Sequence, residues 1–248
     1  YHKEFLSSWE SMGISFDIFT TTGTENHRQT VHDIFTTLLE KNYIYTNTVP
    51  LPYCHTCKRS IPDRYLKGTC PNCGNLDARG DQCDNCGKPM NPEDLLDIKC
   101  RISGDTPEIR NSEHFFLKLS SFQKPLLEWV NKQKHWRPNV LNFTRRYIED
   151  GLIDRAITRD LDWGIDVPVT GFEDKKIYVW FEAVIGYLSA SKEWASTTDD
   201  PEAWKHFWYK DAKIYNFLGK DNIPFHTIIW PAMLMGVGGF NLPYDVPA

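Results

Sequence analysis

The sequence lacks several features, and each absence excludes a class of protein. No apolar run approaches the roughly 18 residues that span a membrane, and no signal peptide opens the chain, so we expect a cytoplasmic protein with no membrane association. The formal net charge of -5 argues against coating nucleic acid by bulk charge, although a local basic face stays open. Cysteine is absent outside the stretch from Cys54 to Cys100, which is unlike the spread of a secreted disulfide scaffold.

The cysteines that are present favour a metal. Six of the seven form three C-x-x-C pairs, and two of these pairs are followed by glycine, as in zinc knuckles. Nine residues separate the two knuckles, a spacing that suits one tetrahedral site. A closed site of four thiolates has no open coordination position, so its role is structural. The predicted ligands are Cys70, Cys73, Cys83 and Cys86.

A second zinc site is a separate hypothesis. Cys54, Cys57 and Cys100 supply three ligands, and Ser103 stands where a further C-x-x-C pair would end. His55 or water are candidates for the fourth donor, although His55 lies inside a pair and is poorly placed. A different grouping, in which the first pair joins Cys70 and Cys73, also has acceptable spacing. Because residues 54–105 contain few apolar side chains, zinc should decide whether this stretch is ordered, with roughly 10–16 kcal/mol of binding free energy.

The apolar pattern elsewhere predicts an α/β fold. Thr24 is typical of a helix N-cap and opens a predicted helix that ends near Lys41, and Pro138 suits the first turn of another. The last third of the chain alternates strand, helix, strand and helix, which indicates a parallel sheet. Those elements are predicted at 176–181, 183–194, 212–218 and 222–235. Ligands in such sheets bind at the carboxyl ends of the strands, which here are 180–187 and 219–226.

Ten short segments occur in an order that is difficult to obtain by chance. They are 51–54 (LPYC), 62–65 (PDRY), 68–71 (GTCP), 80–83 (GDQC), 112–116 (SEHFF), 158–160 (TRD), 178–183 (YVWFEA), 219–222 (GKDN), 224–226 (PFH) and 230–232 (WPA). In this series the chain resembles methionyl-tRNA synthetases of the variety with doubled zinc knuckles, over essentially its whole length.

The resemblance implies a class I synthetase, which activates L-methionine with ATP and Mg and transfers the methionyl group to tRNA(Met). Its Rossmann-type catalytic domain is split by a connective-peptide insert that carries the zinc knuckles. On this basis residues 1–42 end the first half of the catalytic domain and 176–248 form most of its second half. The insert is residues 43–175, with the zinc region at 54–103.

The resemblance also implies roles for individual residues. Positions that match the methionine pocket of the family are Trp180, Ala183, Tyr187, Phe225, His226 and Trp230. Among them, His226 matches the residue near the thioether sulfur. Gly219, Lys220 and Asp221 match the stretch that binds the adenosine of ATP. Arg159 matches a catalytic arginine that pairs with an acid near the amino and carboxylate groups of the substrate.

The sequence departs from the family in lacking the His-x-Gly-His and Lys-Met-Ser-Lys-Ser motifs. Both would lie outside this chain, so we expect a nearly inactive piece of a longer ligase. One alternative is another class I synthetase, but the isoleucine, valine and leucine enzymes carry a much larger insert, and the cysteine enzyme places zinc in its active site. A second alternative is a non-catalytic zinc-ribbon module that binds RNA through a basic helical face. That face would comprise Lys124, Lys132, Lys134, Arg137, Arg145 and Arg146.

Overall fold

The computed structural model describes residues 1–62, 65–79, 83–86 and 94–248, which divide into two compact units. Unit 1 comprises Tyr1–Tyr45, Leu117–Ile157 and Ile177–Ala248, and unit 2 comprises Thr46–Phe116 and Thr158–Lys176. Residues 117–157, which the sequence analysis includes in the insert, therefore group with unit 1. The assignment of 43–175 to the insert of the family stays a prediction.

Unit 1 begins with two helices, α1 (His2–Ser11) and α2 (Glu25–Glu40). The predicted cap of α2 is confirmed, because Thr24 Oγ1 accepts a hydrogen bond from the backbone N–H of His27 at 3.1 Å. The buried face of α2 repeats at helical spacing and includes Val31, Ile34, Phe35 and Leu38. The helix stops one residue before the predicted end at Lys41, which is its C-cap.

Two further helices of unit 1 are α3 (Gln123–Val130) and α4 (Pro138–Glu149). Pro138 stands in the first turn of α4 as predicted, where its missing N–H costs nothing. Gly151 follows α4 with a φ of +99°, the left-handed conformation expected just beyond a helix end. Helix α3 is preceded by a 3-10 turn, Leu119–Phe122, and ends at Val130.

The last third of the chain differs locally from the predicted strand–helix pattern. The strand predicted over 176–181 is confined to β8 (Lys175–Ile177), and the rest begins helix α5 (Val179–Glu182). A 3-10 turn, Ala183–Ile185, then leads into α6 (Gly186–Ala195). A short apolar run fits a buried strand and a buried helix equally well, so periodicity alone could not separate them.

Residues 212–218 are extended but form no regular strand. Their backbone pairs with residues 244–247 through a parallel bridge from Tyr215 to Asp245, and the N–H groups of Asn216 and Leu218 donate to the carbonyls of Asp245 and Pro247 at 3.0 Å and 3.2 Å. The helix predicted over 222–235 is built in three parts. These are a 3-10 turn at Lys220–Asn222, a π-helical turn at Phe225–Ile229 and helix α7 (Trp230–Val237).

The remaining strands are short apart from two. They are β1 (Ile44–Cys54), β2 (Arg59–Ser60), β3 (Leu66–Thr69), β4 (Leu96–Cys100), β5 (Glu108–Leu117), β6 (Arg155–Ala156) and β7 (Thr158–Asp160). Within the described ranges they form one sheet of order β2-β1-β5-β6 and two strand pairs, β3-β4 and β7-β8. Strands β3 and β4 are antiparallel and bring Leu66 opposite Cys100. Among the described residues, no helix is long and apolar enough to cross a membrane.

Candidate functional site

Four cysteines of unit 2 converge on one point. The sulfurs of Cys70, Cys73, Cys83 and Cys86 all lie within 4.8 Å of one another. Two of the separations are 3.9 Å, between Cys70 and Cys86, and 3.6 Å, between Cys73 and Cys83. A tetrahedral zinc with bonds of about 2.3 Å holds its sulfurs roughly 3.8 Å apart. The donor set therefore fits zinc in both chemistry and spacing.

The knuckle backbones supply donors to these thiols. Gly74 has a φ of +73°, the left-handed conformation that suits a turn after a C-x-x-C pair, while Gly87 of the other knuckle lies outside the described residues. The backbone N–H of Cys86 lowers the pKa of the Cys83 thiol to about 6. The side-chain amide of Asn85 lowers the pKa of Cys73. Both effects favour the thiolate, which is the form that binds metal.

A second group of sulfurs comprises Cys54, Cys57 and Cys100. Sγ of Cys57 is 3.8 Å from Sγ of Cys100, and Sγ of Cys54 is 3.2 Å from the hydroxyl of Ser103. His55 instead contacts Glu108, with its Nε2 2.7 Å from the carboxylate. The structure thus brings Ser103, and not His55, to the three thiols. The alternative grouping of the first pair with Cys70 and Cys73 does not occur among the clusters of the described cysteines.

An aromatic cluster in unit 1 contains most of the predicted pocket residues. The rings of Trp180 and Phe225 stack with centroids 4.1 Å apart and an interplanar angle of 14°. The hydroxyl of Tyr187 lies 2.8 Å from Nε2 of His226. These contacts join the region around α5 and α6 to the π-helical turn, which are the two regions where the sequence predicts ligand.

The hydrogen bonds of His226 define its tautomer. Its Nδ1 is 3.0 Å from the carbonyl oxygen of Asn222, which can only accept, so Nδ1 carries the proton. Burial lowers the pKa of His226, and Nε2 is therefore an acceptor for the hydroxyl of Tyr187. Burial also raises the pKa of Tyr187, which keeps its phenol protonated. Sequence reasoning missed the role of the Asn222 carbonyl, since a backbone acceptor leaves no mark in the residue type.

Trp230 and Ala183 differ from the other predicted pocket residues in their surroundings. Trp230 is fully buried and meets Trp208 edge to face, with ring centroids 5.8 Å apart. Its indole N–H has no hydrogen-bond partner among the described residues. Ala183 is half-buried in the 3-10 turn after α5. By contrast, Trp180 and Tyr187 remain 40% and 44% exposed, so these two present the accessible aromatic surface.

The predicted adenosine-binding residues lie on an open turn. Gly219 precedes the 3-10 turn Lys220–Asn222, and Gly219, Lys220 and Asp221 are all exposed. A Cβ added to Gly219 would meet nothing within 4 Å, so the backbone here is open to a bulky group. The predicted helix begins directly after this turn, since residues 223–237 are continuously helical, so the turn lies at a helix N-terminus, where backbone amides favour anions.

Arg159 lies on β7 in unit 2, where its guanidinium donates to the carbonyl of Thr158 at 2.8 Å. The neighbouring Asp160 accepts hydrogen bonds from Ser60 and Lys175. Burial opposes ionisation of Asp160, but the hydrogen bonds from Lys175 and Ser60, together with nearby positive charge, outweigh it and lower the pKa of the carboxyl. The strand that carries Arg159 is therefore fixed by a network of charged and polar groups.

A family model described as "tRNA synthetases class I (M)" matches residues 1–248, and the chain belongs to this family. The predicted fold class is thereby confirmed.

The similar proteins of known name are methionine–tRNA ligases. The chain is 61% identical over 248 residues to a methionine–tRNA ligase of Dehalococcoides mccartyi, and 52% identical over 250 residues to one of Thermoplasma acidophilum. All of this chain is matched, but it spans only 45% and 46% of those proteins. A structure of Mycobacterium tuberculosis methionyl-tRNA synthetase in complex with methionyl-adenylate superposes with a TM-score of 0.67 at 24% identity. It covers 99% of this chain and 42% of that one, and supports the fold.

Proposed function

We propose that the protein containing this chain is a methionine–tRNA ligase that uses ATP with Mg to activate L-methionine and then transfers it to tRNA(Met). The observation that carries this proposal is the similarity to methionine–tRNA ligases along the whole of this chain. The chain spans less than half the length of those relatives, so the complete activity belongs to a longer protein. The chain alone lacks the His-x-Gly-His and Lys-Met-Ser-Lys-Ser motifs and is expected to have little activity.

The aromatic cluster of unit 1 supports a pocket for the methionine side chain. The stacked rings of Trp180 and Phe225 offer the flat, polarizable surface that a flexible thioether prefers. The hydroxyl of Tyr187 donates to Nε2 of His226, and this bond fixes the half-exposed Tyr187 ring as a further aromatic surface for the sulfur. His226, only 6% exposed, orients that hydroxyl from behind. In this proposal Ala183 and Trp230 complete the shape of the pocket.

The remaining predicted residues take the roles that the family implies. Gly219, Lys220 and Asp221 bind the adenosine of ATP, and the open backbone at Gly219 is compatible with close approach. Arg159 acts near the amino and carboxylate groups of methionine. Residues 1–42 and 176–248 belong to the two halves of the catalytic domain, and 43–175 to the insert. A cytoplasmic location accords with this function.

Structural zinc is part of the proposal. Cys70, Cys73, Cys83 and Cys86 hold one ion, for which the spacing of their sulfurs is suitable. Cys54, Cys57 and Cys100 hold a second, with the hydroxyl of Ser103 as the nearest further donor. Zinc at these positions orders the surrounding backbone and supplies no group to the reaction.

Methionine titration of the protein tests the pocket. We expect methionine to change tryptophan fluorescence and raise thermal stability, and Tyr187→Phe to weaken binding about tenfold by removing one hydrogen bond of roughly 1 kcal/mol or more. Tyr209→Phe, a matched change away from the cluster, should leave the affinity unaltered. If methionine changes neither fluorescence nor stability in the unsubstituted protein, the non-catalytic RNA-binding module becomes the better explanation.

A further inference from the structure

A fully buried histidine on α2 joins two helices of unit 1. Nε2 of His27 lies 2.8 Å from a carboxylate oxygen of Glu182, at the end of α5. Nδ1 of the same ring lies 2.8 Å from the hydroxyl of Ser189, on α6. Both nitrogen atoms are thus engaged, and the side chain of His27 has no exposed surface.

Neighbouring groups reinforce both hydrogen bonds of the His27 ring. The Glu182 side chain is only 13% exposed, so its contact with His27 is shielded from water and strengthened by the carboxylate charge. At the other end, the side-chain amide of Asn26 donates to the carbonyl of Ser189 at 2.7 Å. Two consecutive residues of α2 therefore hold the same residue of α6.

The two anchored residues flank the candidate methionine pocket. Glu182 follows Trp180 by two residues, and Ser189 follows Tyr187 by two. Helix α5 has only four residues, which is too short to be stable by itself, so its position depends on contacts with its neighbours. The orientation of Trp180 and the separation of Trp180 from Tyr187 thus depend on where the carboxylate and the hydroxyl are held.

We propose that His27 is a positioning residue for the methionine pocket, which fixes α5 through Glu182 and α6 through Ser189. This inference rests on the proposed function for the identity of the ligand. Small displacements of binding groups have large consequences, since a shift of about 1 Å can cost up to a hundredfold in a reaction that needs exact alignment. No direct contact between His27 and methionine is required.

The first measurement compares the binding of two substrates to the full-length protein. We expect His27→Ala to raise the dissociation constant for methionine about tenfold, and that for ATP less than about threefold. Glu182→Gln retains an acceptor for Nε2 and should preserve most of the affinity, whereas Glu182→Ala should resemble His27→Ala. Because Glu182 acts through His27, the double alanine variant should lose no more than His27→Ala alone.

A matched control separates positioning from general destabilisation. Thr30 is also buried on α2, but its hydroxyl donates within the helix, to the carbonyl of Asn26 at 2.8 Å. Thr30→Val should change neither dissociation constant. Equal losses for methionine and ATP, additive effects of the two alanine substitutions, or unchanged methionine binding by His27→Ala would each overturn the proposal.

Hydrogen exchange without any ligand provides an independent test. Amides of residues 179–190 should exchange faster in His27→Ala than in the unsubstituted protein, and Thr30→Val should leave them unchanged. If the unsubstituted protein fails to bind methionine, the proposed function fails. Unchanged exchange over 179–190 in His27→Ala overturns the positioning role whether or not methionine binds.

Discussion

The cysteine-rich cluster of unit 2 and the core of unit 1 bury different side chains. Among the residues that the structure describes, this cluster has eight members, of which four are cysteines, and the others are small or aliphatic. The list is Cys54, Ile61, Leu66, Cys70, Ala78, Cys83, Leu95 and Cys100. Unit 1 instead buries large rings, among them Trp230, Phe35 and Phe181, with the last two in edge-to-face contact at 6.2 Å.

This difference indicates two sources of stability. Large apolar side chains each gain a few kcal/mol on burial, so unit 1 can be stable through packing. Converging thiols gain little from burial, and as thiolates they repel one another unless a cation neutralises them. Unit 2 should therefore depend on metal, and perturbations of metal and of packing should act on different units.

Removal of metal should have the largest effect on the stability of unit 2. Structural zinc contributes roughly 10–16 kcal/mol of binding free energy, about as much as the whole stability of an ordinary domain. We expect a strong chelator to expose residues 46–116 to protease while α2 and α7 stay protected, as mapped by mass spectrometry of the fragments. Cys73→Ser should have the same effect without a chelator.

Chelation that leaves the protease pattern unchanged would show that packing alone orders unit 2. Zinc content, measured by elemental analysis, gives the number of sites. We expect about two equivalents per chain. One equivalent would indicate that the site with Ser103 does not retain metal, and in that case Ser103→Cys should restore the second equivalent.

Removal of a core ring from unit 1 should have the next largest effect. Phe35 is fully buried, and Phe35→Ala should lower the free energy of unfolding by about 3–5 kcal/mol in denaturant titration. Zinc content should not change. Phe217, which is 78% exposed, offers the matched control, since Phe217→Ala should cost less than about 0.5 kcal/mol. Loss of zinc from Phe35→Ala would contradict the separation of the two sources of stability.

Local sequence rules predicted the parts of the fold that local chemistry decides. Thr24 accepts a single backbone hydrogen bond within its own turn, and Pro138 needs only to lack one donor, so both helix starts could be read from the sequence. The apolar run at 176–181 is different, because strand and helix bury it equally well and tertiary packing makes the choice.

The candidate site was predictable only as far as residue type carries its chemistry. The aromatic residues and His226 could be named from the resemblance, and the structure brings Trp180 together with Phe225 and Tyr187 with His226. The link from His27 to Glu182 joins residues 155 positions apart, and nothing in the spacing of either predicts the other. Likewise, the spacing of the cysteines in the sequence allowed two groupings, and only the positions of the sulfurs in the structure show which one occurs.

A glycine of unit 2 provides a smaller perturbation. A Cβ at Gly68 would lie 2.6 Å from the backbone carbonyl oxygen of Leu96, which cannot move without disturbing the β3–β4 pair that leads to Cys70 and Cys100. Gly68→Ala should therefore cost about 1–3 kcal/mol and release zinc at a lower chelator concentration. Gly23→Ala in unit 1, where the nearest atom is 3.5 Å away, should leave zinc release unchanged. Equal zinc retention by both variants would contradict the strain at Gly68.

Lowering the pH should also destabilise the protein through His114, a buried histidine of unit 2. Burial lowers the pKa of His114 to about 4. The positive charges of Lys175 and Arg159 also lower it, whereas the carboxylates of Asp160 and Asp174 oppose the shift. Because the unfolded state binds its proton near pH 6.5, the stabilisation by neutral His114 is complete above that pH and is lost as pH falls towards 4. The loss is at most about 1.4 kcal/mol per pH unit for one proton.

The measurement is the free energy of unfolding of the unsubstituted protein and of His114→Gln between pH 5 and pH 8. Acid release of zinc affects both proteins, so the difference between them isolates the histidine. We expect the unsubstituted protein to lose its advantage over the variant as the pH falls below 6.5, since glutamine does not titrate. Asp160, whose pKa is lowered, should contribute only below about pH 3.9, outside this range. Parallel curves would mean that His114 is protonated equally in the folded and unfolded states, and that unit 2 buries it less completely than its 1% exposure indicates.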